Sequence, residues 1–288
     1  MKENWERVKS SILLEDQEIQ FAVEKWKPDL SIQRIEVLSG GLSHTNYKIT
    51  FMKEEPIVLR VSESEENLRM EKTLHDHLHK YKKVPLFHKL ISLKEYKAGI
   101  LQWKQGRTLK DMLYEGTPSV SGKLGYSAGL ELANIRQYPF EKSGFFDQHL
   151  DVVEPFEMTQ ERYLETMEMF LGPHISRWIE KEMIDQIRDF AKKWSELISL
   201  DDSSSALVHA DYNGLNLLGD EEGITAVLDW EFAMAGSIYW DIGNFIRYPN
   251  TPNFSYCEKG FIAGLKSQGI ILPKEWKQIA RLYDLLGL

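Results

Sequence analysis

A single cysteine, Cys257, stands among 288 residues. No disulfide can therefore form within the chain, and a reducing compartment, the cytoplasm, is expected. Basic side chains are the minority, 35 Lys and Arg against 44 Asp and Glu, for a formal charge of -9. That balance argues against a nucleic-acid partner, which a basic stripe would serve. No apolar run approaches the roughly 18 residues of a membrane span. The opening "MKENWERVKS" has charges where a signal peptide would be apolar. Repeats and low-complexity tracts are missing too. What is left is an ordinary globular composition, 42% hydrophobic and 27% charged, in a chain long enough for two cores.

The order of patterns divides that chain. Residues 1 to about 30 carry apolar residues at helical spacing, among them Trp5, Val8, Ile12 and Leu13. "QRIEVLSGGLSHTNYKITF" reads as two strands around a glycine-containing loop, and "PIVLRV" as a third. "SEENLRMEKTLHDHLHKY" is a helix opened by Ser64, and "KAGILQWKQG" a short strand running into a turn. From about residue 120 helical patterns dominate, down to a C-terminal "ARLYDLLGL" without a stop signal. We expect an N-terminal part over 1–103 that is rich in strands, and a mostly helical part over 104–288.

One stretch of the helical part is unusual. "LVHADYNGLNLLGDEEGITAVLDW", residues 207–230, is mostly apolar yet holds His209, Asp211, Asn216 and Asp229. Buried polar groups need partners, because an unpaired carboxylate in an apolar setting is costly. "LNLLG" and "ITAVLD" around "DEEG" form a predicted hairpin, which would set Asn216 beside Asp229. An amide oxygen next to a carboxylate suits a hard cation such as Mg²⁺. Upstream, Glu71 interrupts the helical stripe of Leu68, Leu74, Leu78 and Tyr81, and Arg60 interrupts an apolar strand. An Arg60–Glu71 ion pair would satisfy both.

The spacing from His209 through Asp211 to Asn216, with Asp229 in a following strand, matches the catalytic loop and metal-binding Asp of protein kinases. In the forms "HAD" and "LDWE" the chain resembles the small-molecule kinases of the aminoglycoside phosphotransferase and choline kinase group, over essentially its whole length. The resemblance implies an α+β, two-lobed, protein-kinase-like fold, with a small β-rich lobe and a larger helical one. It implies transfer of the γ-phosphoryl group of ATP or GTP to a small-molecule hydroxyl. Asp211 would be the catalytic residue, Asn216 and Asp229 would hold Mg²⁺, and His209 and Asp241 would brace the loop. On the nucleotide side it implies Gly41 and Ser43 in the glycine segment, Arg60, Glu71, and a hinge at Gln102 and Trp103. Arginine at position 60, where kinases usually have lysine, departs from the pattern. An aminoglycoside, and so a cationic acceptor, leads; choline, ethanolamine or another metabolite alcohol comes next, then a non-catalytic nucleotide-binding pseudokinase.

Other clusters have plainer readings. His75 and His79, four apart on a helix, are expected on its solvated face rather than at a metal. Trp103, Trp230 and Trp240 are expected in the core. Seven acids and one arginine between 147 and 171 are read as the solvated face of a helix, with an acidic wall for a cationic acceptor as the alternative.

Overall fold

A computed structural model describes residues 12–38, 44–78, 80–201 and 203–287. The expectations for Trp5, Val8, Gly41, Ser43 and His79 lie outside the described residues. The chain divides into two units. The first comprises residues 1–105 with two later segments, 147–151 and 226–231, that a single cut at 103 would assign to the helical part. The second holds the rest.

In the first unit the elements are α1 (Asp16–Trp26), β1 (Ile32–Leu38), β2 (Thr45–Phe51), β3 (Ile57–Ser62), α2 (Glu65–His77), β4 (Phe87–Ser92) and β5 (Lys97–Gln102). The strands form one antiparallel sheet in the order β1-β2-β3-β5-β4. Period-two alternation sorts β3 between two apolar layers. Ile57, Leu59 and Val61 join Ile19 and Val23 of α1 in one cluster, while Val58 packs with Leu68 of α2, Phe87 and Leu101. Arg60 alternates onto the α2 side, where α2 buries Leu68, Glu71 and Leu74. The α2 helix starts where Ser64 accepts the Asn67 N–H at 3.3 Å.

His75 is a correction. It is 3% exposed, not solvated. Its Nδ1 lies 2.6 Å from the Pro85 carbonyl, and its ring stands edge-on to Phe87. Burial pushes its pKa down to about 4, so the ring is neutral. The strand that covers it, β4, has no clear signature in the sequence.

The second unit runs through β6 (Arg107–Thr108), α3 (Leu109–Glu115), α4 (Pro118–Ile135), β7 (Gly144–Phe146), β8 (Val152–Pro155), α5 (Gln160–Phe170), α6 (Lys181–Trp194), β9 (Ala206–Val208), β10 (Leu217–Gly219), the first half of β11 (Ile224–Val227), β12 (Met234–Gly236), α7 (Tyr239–Ile246), α8 (Phe254–Ser267) and α9 (Trp276–Leu286). The predicted hairpin is β10 and β11, turned where Asp220 N–H meets Gly223 O at 3.0 Å. A four-stranded sheet in the order β8-β7-β12-β9 also forms, which the helical reading omits. Three of its strands have only three residues, too few to show alternation.

The acidic run is not one helix face. Asp147 and Asp151 belong to the β7–β8 turn, where Asp147 Oδ1 accepts the N–H groups of His149 and Asp151. Glu161, Glu165 and Glu168 are exposed on α5, opposite its buried Tyr163 and Met167. Glu168 pairs with Arg188 of α6 at 2.9 Å. Of the tryptophans expected in the core, Trp230 is fully buried, while Trp103 and Trp240 are half-buried.

Helices α4 and α8 cross backbone to backbone. A Cβ at Gly125 would stand 1.9 Å from Cys257 O, and one at Gly129 2.2 Å from Phe261 O. This crossing also supports residues 209–216, since Tyr212 Oη donates to Ala128 O of α4 at 2.8 Å. Gly125→Ala is expected to lower stability by about 1–3 kcal/mol through overpacking. At Gly122 the nearest atom is 3.9 Å from an added Cβ, so Gly122→Ala should be neutral or stabilising by up to about 1 kcal/mol. Urea denaturation of the two variants checks the contrast.

Candidate active site

The segment 209–216 is a hydrogen-bonded turn built around one carboxylate. Asp211 Oδ1 accepts Asn213 Nδ2 at 2.6 Å, and Oδ2 accepts Asn216 Nδ2 at 2.6 Å. Asn216 Nδ2 also donates to Asp211 O at 2.9 Å. A carboxylate only accepts, so it fixes the amide orientation and turns Asn216 Oδ1 away from Asp211. Asn213 Oδ1 in turn accepts the Leu215 N–H at 2.9 Å. Asp211 itself is half-buried. Gly214 O accepts the Lys110 N–H from α3 at 2.8 Å, tying the turn to the helical scaffold.

Behind the turn sits Asp241, with no exposed surface. Its Oδ2 accepts the His209 N–H at 3.0 Å and its Oδ1 the Ala210 N–H at 2.8 Å. Burial pushes Asp241 above the usual carboxylate range, against the opposing pull of His209, the two backbone donors and Arg136. Between those donors Ala210 adopts a left-handed φ of 62°, a conformation that costs a residue with a Cβ on the order of 1–2 kcal/mol. His209 is fully buried, and its Nδ1 accepts the Asp211 N–H at 3.2 Å. Arg136, the C-cap of α4, secures the approaching strands, donating to Ala206 O of β9 and Gly236 O of β12.

In the sheet-rich unit a second group of charges is buried. Arg60 Nη1 meets Glu71 Oε2 at 2.5 Å, Nη2 meets Asp229 Oδ1 at 3.2 Å, and Nε donates to Asn46 Oδ1 at 3.3 Å. Burial alone would raise Glu71, but Arg60 and then His44 more than offset it and hold its pKa at about 2. Asp229 also has a left-handed φ, 66°. The next side chain, Trp230, is fully buried with Nε1 on Val227 O at 3.1 Å. His44 Nε2 lies 3.1 Å from Glu231 Oε2 and 3.3 Å from Glu71 Oε1. Neither His44 nor Glu231 was singled out from the sequence. Their only signals are adjacency, His44 to the glycine segment and Glu231 to Asp229.

Gln102 closes β5, and its N–H is engaged by Leu86 O at 2.8 Å. Trp103 carries the Lys48 ammonium 4.1 Å above its ring. Among the described residues no group of three or more His, Cys, Asp or Glu is arranged to hold a metal ion. Mg²⁺ does not require such a cage, because it keeps waters and takes nucleotide phosphates as ligands. Each unit offers a hard donor of the type that it needs, the Asn216 oxygen turned away from Asp211 in one and the Asp229 carboxylate in the other.

The helical unit has a cavity of about 340 Å³. Its apolar lining is Ile187 and Phe190 of α6 with Ile246, Pro249 and Leu285; Arg247, Arg281 and Asp284 add charge. Arg247 Nε and Nη2 meet Asp284 Oδ1 at 2.8 and 2.7 Å. Burial works against the charge on Arg247, but Asp284, then Tyr248 and Asp211, outweigh it. This cavity has none of residues 209–216 in its wall. A larger one, about 590 Å³, includes Ser143, Ser205 and Trp240 in its wall but none of residues 209–216.

Replacing Asp241 by Asn would leave one of the two loop N–H groups facing an amide hydrogen or no acceptor. The expected loss is about 1–3 kcal/mol of stability, with faster amide hydrogen exchange at His209 and Ala210 than elsewhere in the unit. Unchanged exchange at both amides would contradict the bracing role.

Comparison with known proteins identifies the family and the fold. Residues 34–265 match the profile of the APH family, described as the phosphotransferase enzyme family. No curated protein matches the chain in sequence. Among solved structures, aminoglycoside phosphotransferase APH(4)-Ia superposes with a TM-score of 0.67 at 18% identity, covering 93% of this chain and 87% of that one. A thermostable mutant of that enzyme, in ternary complex with ADP and hygromycin B, gives 0.66 at 19% identity over the same shares. Macrolide 2'-phosphotransferase MphH from Brachybacterium faecium gives 0.65 at 17%, covering 93% and 88%. The fold is the mixed α+β, kinase-like fold of these enzymes, and with most of its length matched by the profile the chain belongs to the phosphotransferase enzyme family.

Proposed function

We propose that this protein transfers the γ-phosphoryl group of Mg²⁺-bound ATP, or GTP, to a hydroxyl of a small molecule in the cytoplasm. The observation that carries the reading is the aimed carboxylate of Asp211, held by two side-chain amides on a loop that Asp241 braces. In phosphoryl transfer a protein mainly positions the reactants and neutralises charge. Asp211 accepts the proton of, or orients, the attacking hydroxyl; each of its oxygens keeps a further lone pair beside the amide it already accepts. Asn216, through Oδ1, and Asp229 hold Mg²⁺, which when bound neutralises phosphate charge. His209 fixes the loop by accepting the Asp211 N–H.

Arg60 has a structural task and a substrate task. Three of its five N–H donors are directed at Glu71, Asp229 and Asn46. The remaining two are available to a phosphate. Gly41 and Ser43 belong to the segment assigned to phosphate covering. With the Gln102 N–H engaged, recognition of the base falls to Trp103 and the apolar surface of its ring.

We assign the cavity beside Arg247 to the acceptor, on the ground that it lies in the same unit as Asp211 and has a largely apolar wall. Its one carboxylate, Asp284, is already paired with Arg247, and a second arginine lines the wall. An aminoglycoside brings several ammonium groups and would find two guanidiniums there. We therefore assign an alcohol with a large apolar body and few positive charges, a description that macrolides fit. An aminoglycoside is the second reading, supported by the exposed acids of α5 and by the hygromycin B bound to a structural neighbour.

The test is a mass-shift assay with Mg·ATP and Mg·GTP against macrolides, aminoglycosides, choline and ethanolamine. The wild type should add about 80 Da, one phosphoryl group, to an acceptor of the first class. Asp211→Ala should bind Mg·ATP almost normally yet transfer on the order of 10²–10⁴-fold more slowly. Near-normal transfer by Asp211→Ala would refute its role. A gain on aminoglycosides alone would favour the second reading. Mg²⁺-dependent nucleotide binding with no transfer to any compound would favour a pseudokinase.

A further inference from the structure

Five ionisable groups in the sheet-rich unit form a closed circuit. Glu231 meets His44 at 3.1 Å, and His44 meets Glu71 Oε1 at 3.3 Å. Glu71 Oε2 meets Arg60 at 2.5 Å, and Arg60 meets Asp229 at 3.2 Å. The two ends of this series, Glu231 and Asp229, are two residues apart on the same short segment. That segment has its middle side chain, Trp230, fully buried, and its first residue in a left-handed conformation. Such a conformation persists only where the surroundings over-determine it.

We propose that His44 is a positioning residue for Asp229: by holding Glu231 against Glu71 it fixes the left-handed turn from which the Asp229 carboxylate is presented. Arg60 clamps the segment at one end and His44 at the other, and Glu71 is the anchor common to both. Charge supports the geometry. Burial opposes the imidazolium, but Glu231 and Glu71 outweigh it and carry the His44 pKa up to about 9. With His44 charged, two cations face three carboxylates. Without it, Glu71, Glu231 and Asp229 would compete for one guanidinium, and Arg60 could no longer be held at Asp229 on the same terms.

The inference rests on the phosphotransferase reading, so its test reads nucleotide binding and needs no acceptor. Calorimetry would measure ATP affinity with and without Mg²⁺ for wild type, His44→Ala, His44→Gln, Glu231→Gln and the His44→Ala/Glu231→Gln double variant, beside thermal unfolding of each. His44→Ala is expected to weaken Mg·ATP binding about tenfold, which is about 1.4 kcal/mol, and Mg²⁺-free ATP binding by less than about threefold. His44→Gln, which keeps a donor at similar reach, should recover part of the loss and supplies a folded comparison if the alanine variant unfolds. Because His44 acts through Glu231, the double variant should bind no more than about threefold worse than the weaker single one. Mg·ATP binding by both His44 variants within about twofold of wild type, equal losses with and without Mg²⁺, or losses that multiply in the double variant would each overturn the proposal. A wild type that binds no Mg·ATP would overturn the phosphotransferase reading, and this inference with it.

Discussion

Arg60 joins β3, α2 and the Asp229 segment through one buried guanidinium. The sheet-rich unit can keep carboxylates in its interior only because such a cation lies among them. Removing one partner of a buried pair leaves the other uncompensated, typically at several kcal/mol. The interaction therefore constrains both the fold and the candidate chemistry. It holds α2 against the sheet at Glu71, and it directs the carboxylate proposed to hold Mg²⁺. A planar fork can reach two acids and an amide oxygen at once, which a lysine ammonium on a flexible stem cannot do with the same geometry.

The helical unit solves the same problem differently. Among the described residues no cation stands within hydrogen-bond reach of Asp241; two backbone N–H groups of the loop take its oxygens. The carboxylate stays satisfied and the loop gains a fixed support. Two of the left-handed non-glycine residues lie at these supports. Ala210 and Asp229, both with left-handed backbones, stand beside the braced loop and within the clamped segment. At each, polar contacts of the neighbouring groups hold the backbone in place.

What the sequence revealed and what it hid divide along physical lines. Glu71 could be paired with Arg60 because each breaks an apolar pattern of known period, and an interrupted stripe demands a buried partner. The helix start at Ser64 was legible from local capping chemistry. The fate of His75 was not, since it depends on β4 packing over α2 from elsewhere in the chain. The short strands β7, β9 and β12 offer three residues each, and alternation over three residues is indistinguishable from chance. His44 and Glu231 are far apart in sequence and polar without a periodic context, so only the folded sheet brings them together. Asn213 escaped notice because one more asparagine in a turn looks like ordinary turn chemistry. The acidic run is one feature by composition alone, since its members divide among a β-turn, the strand β8, the loop after it and the exposed face of α5.

The central claim is that a forked cation at position 60, not merely a positive charge, organises the candidate nucleotide side. Exchanging Arg60 for Lys and measuring Mg·ATP affinity beside thermal unfolding tests it most directly. A folded Arg60→Lys protein that binds Mg·ATP about tenfold more weakly, because one ammonium cannot serve both Glu71 and Asp229, is the predicted result. Affinity and melting temperature equal to or above wild type would contradict the account.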